Sequence, residues 1–250
     1  MITITLIGTG RLSFNFMNEI LKNDSLHLNQ VYGRSKFRPK YISDDVDYVK
    51  NFKNLKPSDY YFICVSDDEI LNVSNNLNVN DNIFVHLSGC TDIDVLSKHK
   101  NYGVLYPIQT FSFESELLFK DIPILIEANN KTTLLKINNL AKLFSKKVRK
   151  MNSKKRLICH LAATIANNFS NHMIVKAEKI LENGKIDKDL IKPLISETYN
   201  KMNRMIAIDA QTGPALRNDQ ITIDKHIDHL SESDFLNLYK LITKSISNEL

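Results

Sequence analysis

The chain has 250 residues, of which 43% are hydrophobic and 24% are charged, as in globular proteins with one large domain or two modest ones. Its net charge of +5 is mild, so it favours a small anionic ligand and argues against a nucleic-acid partner, which would need clustered arginines with aromatic residues. No apolar stretch reaches the length of a membrane span, and Cys64, Cys90 and Cys159 form no C-x-x-C pair. We therefore expect a cytoplasmic protein without a metal site and without membrane attachment.

A predicted strand over residues 1–7 leads directly into a glycine turn. The run is apolar and rich in β-branched residues, which suits a strand buried on both faces. Gly8 permits the tight turn, Gly10 lets the backbone approach a pyrophosphate, and apolar residues at i, i+4 spacing then predict a helix. This is the dinucleotide fingerprint G-x-G-x-x-G with Ser13 in place of the third glycine, and the alternative is an ordinary tight turn. The predicted cofactor contacts are Gly8, Gly10, Arg11 and Leu12.

The end of the second predicted strand, residues 28–32, decides between the two nicotinamide cofactors. A carboxylate at this position would bind the ribose 2′-hydroxyl of NAD, and the sequence has none. Arg34 offers a planar fork of donors and Ser35 a hydroxyl, which together suit a 2′-phosphate. We expect NADP in preference to NAD, and the alternative is a basic turn without a ligand.

Further strands alternate with helices and predict an α/β fold with a doubly wound, mainly parallel sheet of the Rossmann type. The strands are expected at residues 59–65, 82–87, 102–105, 122–127 and 146–151, and the helices at 70–77, 93–98 and 132–145. Loops at the carboxyl ends of such strands face the ligand, although they could equally be ordinary polar turns. The residues expected there are Val65, Ser66, Ser88 and Gly89 for the cofactor, and Gln109 and Thr110 for the substrate.

Strand patterns stop near residue 151, and helical patterns follow. The helices are expected at residues 157–181, 190–208, 221–230 and 234–248, with Gly184 ending the first and Pro193 in the first turn of the second. We therefore divide the chain into a dinucleotide-binding domain, 1–151, and an all-helical substrate and dimerisation domain, 152–250. Ser153 is the expected cap of the first helix, and the basic run 146–156 is interpreted as solvated surface rather than a phosphate site.

The first of these helices carries a polar arc. His160, Thr164, Asn167, Asn168 and Asn171 fall within about 100° of one another around the helix. No charged residue occurs between Cys159 and Val175, so we expect a largely buried helix whose polar groups need partners. An imidazole could move a proton there and an amide could orient a carbonyl, whereas the alternative is that these groups join domains or subunits by hydrogen bonds.

A second candidate lies in the loop 209–219. Arg217 could bind a carboxylate with both arms of its guanidinium, with Asp219 holding it in place. Alternatively the two residues form a structural pair, or Asp219 caps the helix that follows. The other histidines of the chain show no metal-binding spacing.

Taken together, these stretches resemble the Rossmann-like oxidoreductases that carry a helical C-terminal domain of unknown function. The resemblance covers the whole chain, with Tyr106-Pro-Ile-Gln-Thr-Phe111 standing where that family has His- or Tyr-Pro-Leu-Gln-Thr-Phe. More distantly, the chain is similar to pyrroline-5-carboxylate reductases, prephenate dehydrogenases and deazaflavin-dependent NADP reductases. The resemblance implies a dehydrogenase-type helical domain, often dimeric, that completes the active site. If the strand-end motif had to supply a histidine, Tyr106 would not fit and His160 would remain the candidate.

The resulting hypothesis is an NADP-dependent oxidoreductase that transfers a hydride to or from a small carbonyl, imine or hydroxy-acid substrate. His160 would donate the proton and Asn168 would orient the substrate as catalytic residues. The expected substrate contacts are Gln109, Thr110, Asn167 and Arg217. The alternative is a sensor or scaffold that binds NADP without catalysis. In either case we expect a homodimer formed through the helical domain.

Overall fold

The computed structural model describes residues 1–78, 82–114 and 117–248. Within them, eight strands form one sheet, and their bounds are β1 Ile2–Ile7, β2 Leu26–Tyr32, β3 Tyr48–Val49, β4 Tyr60–Ile63, β5 Ile83–His86, β6 Asn101–Pro107, β7 Ile124–Ala128 and β8 Val148–Lys150. The strand order is β3-β2-β1-β4-β5-β6-β7-β8, and every neighbouring pair is parallel except β6 and β7. The order runs outward in both directions from β1, so the predicted doubly wound sheet is confirmed.

Helices cover both faces of this sheet, because its central strands alternate between two apolar clusters. One face is covered by α1 (Arg11–Leu21) and α3 (Lys131–Phe144), and the other by α2 (Ile70–Asn76). Phe62 of β4 faces the first cluster, where Phe16 meets it edge-on at 5.5 Å between ring centroids. Tyr61, its neighbour in the strand, faces the second cluster. This packing holds the carboxyl ends of β1, β4, β5 and β6 along one edge.

The chain divides into two compact units, residues 1–168 and residues from 169 onward. The first unit ends with α4 (Ser153–Ala163) and a π-helical segment, Thr164–Phe169, that crosses into the second. Asn152 caps α4 by accepting a hydrogen bond from the Lys155 amide, whereas Ser153, the expected cap, donates its hydroxyl to Glu127. The predicted helix at 93–98 is also wrong, because this stretch forms a short 3-10 turn, Ile93–Leu96.

The described part of the second unit is helical, as predicted. Its helices are α5 (Ser170–Asn183), α6 (Lys192–Met202), α7 (Gln220–His229) and α8 (Leu236–Asn248). Within the unit Lys176 pairs with Asp234 at 2.7 Å, and Tyr239 contacts His226 through its hydroxyl at 2.8 Å. Gly184 ends α5 as predicted, but the predicted helix 190–208 is too long, since turns replace it after Met202.

The helix predicted over residues 157–181 is helical throughout, with a π-helical segment at its centre, but its side chains are exposed or half-buried rather than buried. At its centre the Thr164 hydroxyl donates to the His160 carbonyl at 3.0 Å, a back-bond that favours local distortion of a helix. The apolar side chains of α4 stay open to solvent, with Ile158 66% and Leu161 57% exposed. Among the helices of the described residues, none is both long and apolar enough to cross a membrane.

Candidate active site

The glycine turn after β1 packs closely against the end of β4 on one side and leaves free space on the other. Gly8 has a φ of +119°, and a Cβ on it would overlap the carbonyl oxygen of Cys64. A Cβ on Gly10 would instead meet nothing within 4 Å, so this backbone borders open space at the start of α1. Ser13, the departure from the fingerprint, is buried and donates its hydroxyl to the Gly8 carbonyl at 2.7 Å. This hydrogen bond therefore holds α1 against the turn. In the fingerprint, the close packing of a third glycine has this role.

A cavity of about 420 Å³ opens above this turn. The predicted cofactor residues that line it are Gly8, Gly10, Arg34, Ser35, Val65 and Ser66. The other four do not line it: Arg11 is exposed at the start of α1, Leu12 packs against the core, and Ser88 and Gly89 lie in the loop after β5. The cavity combines the glycine backbone, which includes the N-cap residue Gly10 of α1, with the cation of Arg34, and these are groups that can bind a dinucleotide phosphate.

Arg34 stands at the far rim of this cavity. Its side chain is 75% exposed, and its Nη1 lies 3.5 Å from the Glu69 carboxylate. Ser35, beside it, has its carbonyl held by the Tyr48 hydroxyl at 3.2 Å. The guanidinium thus has donors to spare for a ligand phosphate, next to one competing carboxylate.

A second cavity, of about 500 Å³, lies at the end of β6. It brings together predicted residues from two distant stretches of the chain: Gln109, Thr110, His160, Asn167 and Asn168. The π-helical segment places both asparagines on the cavity side, with the Asn167 amide donating to the Asn168 side-chain oxygen at 2.9 Å. Asn171, the last residue of the predicted arc, does not line this cavity.

Tyr106 also lines this cavity, although no separate role was predicted for it. Its hydroxyl lies 3.1 Å from Nδ1 of His160. Burial is the main cause that raises the pKa of the phenol, followed by the nearby Cys159. Gly89 makes room for the pair, because a Cβ there would lie 2.5 Å from Nδ1 of His160 and 2.8 Å from the Tyr106 ring. Gly89 follows the neighbouring strand β5, and its lack of a side chain was the feature of the sequence that could have indicated this contact.

A chain of contacts joins the two cavities along the sheet edge. Ser66 lines the first, and the next residue, Asp67, accepts a hydrogen bond from the Cys90 thiol at 2.9 Å. This bond, followed by burial, raises the pKa of that thiol. Ser88 shapes the same loop by accepting from the amides of Cys90 and Thr91. Gly89, between them, borders the second cavity's Tyr106 and His160.

Arg156 fixes α4 to the sheet one turn before His160. It belongs to the basic run that was expected to be solvated, yet its side chain is 1% exposed and pairs with Glu127 at 2.5 Å. It also donates to the Thr91 carbonyl. Burial, followed by the charge of this arginine, lowers the pKa of His86 to about 3.

Arg217 lies in the second unit, in a loop that ends at α7. Asp219 caps that helix by accepting from the amide and hydroxyl of Thr222, at 3.1 and 2.8 Å. Hydrogen bonds from Thr222 are the main cause that lowers the pKa of Asp219. Of the alternatives drawn from the sequence, the capping role of Asp219 is therefore the one observed. The described residues contain no cluster of side chains that could hold a metal ion.

Comparisons with known proteins agree with this architecture. Residues 122–246 match the family model "Domain of unknown function (DUF2520)". No curated protein matches the chain in sequence. Among solved structures, the chain is similar to the "putative NADP oxidoreductase" of Bacteroides fragilis, with 29% identity, a TM-score of 0.92 and coverage of 99% of this chain and 98% of that one.

Two further structures share the fold at low sequence identity. A reductive aminase from Aspergillus terreus, in complex with NADPH and ethyl-5-oxohexanoate, is 11% identical at a TM-score of 0.74, covering 100% and 94% of the two chains. A pyrroline carboxylate reductase from Plasmodium falciparum, with NADP bound, is 13% identical at a TM-score of 0.64, covering 99% and 98%. The resemblance expected from the sequence is thereby confirmed.

Proposed function

The chain belongs to the DUF2520 family, and from this premise we propose that it is an NADP-dependent oxidoreductase. The similarity to the Bacteroides fragilis protein, whose name includes NADP oxidoreductase, supports this over almost the full length of both chains. The two neighbours that hold NADP or NADPH in the same fold support it further. Family and fold leave the substrate open, so the proposed chemistry rests on the site.

The observation that carries the proposal is the continuous sheet edge with a cavity at each end. The space beside Gly10 suits a diphosphate, and Arg34 with Ser35 suits a 2′-phosphate. From there, the contact between Asp67 and Cys90 leads to the second cavity. A cofactor bound along this edge would have its nucleotide over the glycine turn and its nicotinamide toward His160.

The bound cofactor would supply a hydride, and the residues of the second cavity would supply the rest of the chemistry. We propose that His160 is the source of the proton that accompanies the hydride. Asn168, with Asn167 beside it, would orient a carbonyl or imine through its amide donors. Gln109 and Thr110 would complete the substrate wall, and Ser88 and Gly89 would approach the cofactor through their backbone.

The proposed substrate class is a small carbonyl, imine or hydroxy-acid compound. The cavity volume of about 500 Å³ suits a small molecule. Arg217 remains a proposed ligand for an anionic group of the substrate, on the strength of its two-armed guanidinium alone.

Cofactor binding followed by a substrate panel tests the proposal. We expect NADPH to raise the unfolding temperature of the purified protein more than NADH does. With a panel of small ketones, imines and hydroxy acids, we expect turnover that His160→Ala and Asn168→Ala each reduce. Binding without any turnover would favour a sensor or scaffold. If neither nucleotide changed the unfolding temperature, both the oxidoreductase and the sensor hypothesis would be contradicted.

We also propose that two copies of the chain associate through exposed apolar helix faces. Leu157, Ile158 and Leu161 of α4 are exposed, as are Leu190 and Leu194 in the second unit. Charged residues are absent from the sequence that follows Leu157 up to Val175, and exposed apolar residues clustered on a helix are typical of an interaction site. Light scattering should give twice the mass of one chain for the wild type and the mass of a single chain for Leu161→Glu. A monomeric wild type would contradict the dimer.

The compartment that we propose is the cytoplasm. Cys64, Cys90 and Cys159 are free thiols, and such thiols persist in a reducing compartment. Fractionation of the native source would test this.

A further inference from the structure

Tyr106 and His160 form a pair in the wall of the second cavity. The phenol oxygen and Nδ1 of His160 lie 3.1 Å apart, and both side chains line the cavity together with Asn168. We propose that Tyr106 is the catalytic acid of the reaction, and that it passes to the substrate a proton that His160 supplies. This inference deepens the proposed function and rests on it.

Packing fixes the relative position of the two rings. They meet edge-on, at 69° between their planes and 5.9 Å between centroids, so a nitrogen of one ring points at the hydroxyl instead of stacking. Gly89 lies against both rings, where even a methyl group would overlap them. Arg156, one turn before His160, anchors the helix through its ion pair with Glu127. The pair is thus preorganised, which a two-step proton transfer requires.

In the proposed step, the proton that Tyr106 gives to the substrate is replaced by a proton from His160. Hydride addition leaves an electron pair on the carbonyl oxygen or imine nitrogen of the substrate, and this atom takes the proton of the Tyr106 hydroxyl. The phenolate oxygen then takes the proton from Nδ1 of His160, whose ring becomes neutral and is protonated again by solvent. The substrate gains one hydride and one proton, and oxidation follows the same path in reverse.

The surroundings of Tyr106 favour the protonated phenol that a catalytic acid requires. Burial raises the pKa of Tyr106, so the phenol keeps its proton in the resting protein. The titratable and charged groups that act on it from the surrounding elements are Cys159 and Arg156 of α4, and Cys90 and Asp67 of the loops after β5 and β4. Arg156 is paired with Glu127, and Asp67 accepts from the Cys90 thiol. Histidine is the side chain that exchanges protons near neutral pH.

The test compares Tyr106→Phe with Tyr239→Phe, because each removes one hydroxyl that contacts a histidine Nδ1. Tyr239 lies 2.8 Å from His226 in the second unit and has no place in the proposed site. With NADPH and a ketone or imine from the substrate panel, Tyr106→Phe should lower kcat by about 10²- to 10⁴-fold and leave NADPH binding unchanged. Tyr239→Phe should leave kcat unchanged.

A second readout does not depend on turnover. Nuclear magnetic resonance of ¹⁵N-labelled histidine, assigned with His160→Gln, should show that Tyr106→Phe moves the titration midpoint of His160. Tyr239→Phe should move only that of His226. Full kcat in Tyr106→Phe, or an unmoved His160 midpoint, would overturn the relay and leave the proposed function standing. A wild type that binds NADPH but turns over nothing would overturn the reaction and the relay together.

Discussion

At the scale of single residues, Arg34 is the group that should separate NADP from NAD. Its guanidinium is mostly exposed at the rim of the first cavity, so a 2′-phosphate can reach it without rearrangement of the core. We expect Arg34→Ala to weaken NADPH binding by about 10- to 100-fold, the range for a charged hydrogen bond, and to leave NADH binding nearly unchanged. Fluorescence titration measures both. Lys36→Ala, which removes an equal charge two residues away, is the matched control. Equal losses for both nucleotides would contradict this role.

Glu69 limits how strongly Arg34 can discriminate NADP from NAD. Its carboxylate lies 3.5 Å from Arg34 and also accepts from Asn72 at 3.1 Å, so it competes with a phosphate for the guanidinium. Exposed ion pairs contribute up to about 1 kcal/mol. Glu69→Gln should therefore tighten NADPH binding by at most about fivefold, and added salt should reduce the difference from wild type. If Glu69→Gln tightened NADH binding by the same factor, the carboxylate would not act on binding of the 2′-phosphate.

At the scale of elements, the position of α4 depends on a buried ion pair. Arg156 is 1% exposed, so removing its partner would leave a charge with little access to water. Glu127→Ala should lower the free energy of unfolding by about 3 kcal/mol. Glu19→Ala, which breaks the surface pair with Lys22, should cost less than about 1 kcal/mol. Urea unfolding measures both, and equal costs would contradict the anchoring role.

The strands and the glycine turn were predictable because local patterns determine them. The sheet class was predictable from the apolar run before Gly8 and from the alternation of strands with helices. The family resemblance was predictable from the order of the glycine, His160 and Asn168 motifs along the chain. The burial of Arg156 was not predictable, since its partner Glu127 is 29 residues away and a basic run is typical of solvated surface.

Local helix distortion, the exposure of this helix and contacts between distant residues were also not predictable from the sequence. The π-helical segment, at whose start Thr164 donates to the His160 carbonyl, leaves the apolar periodicity of the sequence unchanged. The uncharged stretch after Cys159 predicted burial, whereas Leu161 is 57% exposed. The contact between Tyr106 and His160 joins residues 54 apart and depends on the tertiary fold.

At the scale of the whole molecule, buried histidines link stability to pH. The pKa of His86 falls to about 3 from an ordinary 6.5, mainly through burial. Below pH 6.5 the unfolded chain therefore takes up a proton that the folded chain refuses down to about pH 3, so stability falls as the pH falls through this window. The contribution of one such group approaches about 1.4 kcal/mol per pH unit.

Replacement of His86 should reduce this pH dependence. We expect His86→Leu to lose less stability than wild type between pH 7 and pH 4, even if it is less stable at pH 7 through loss of the acceptor for the Ser88 amide. Urea unfolding at several pH values gives the slope, and His27→Leu at an exposed position is the control. An unchanged slope in His86→Leu would show that this histidine is not the cause.

The proposed function of the whole molecule depends on a nucleotide that lies over the glycine turn at the carboxyl edge of the sheet. Gly10→Ala tests this most directly, because the added methyl meets no protein atom within 4 Å and the residue's φ of −81° suits alanine. We expect the variant to unfold at the wild-type temperature and to bind NADPH at least about tenfold more weakly, since the methyl occupies the path of the diphosphate. Wild-type affinity for NADPH in Gly10→Ala, or no NADPH binding by the wild type, would contradict this position of the nucleotide.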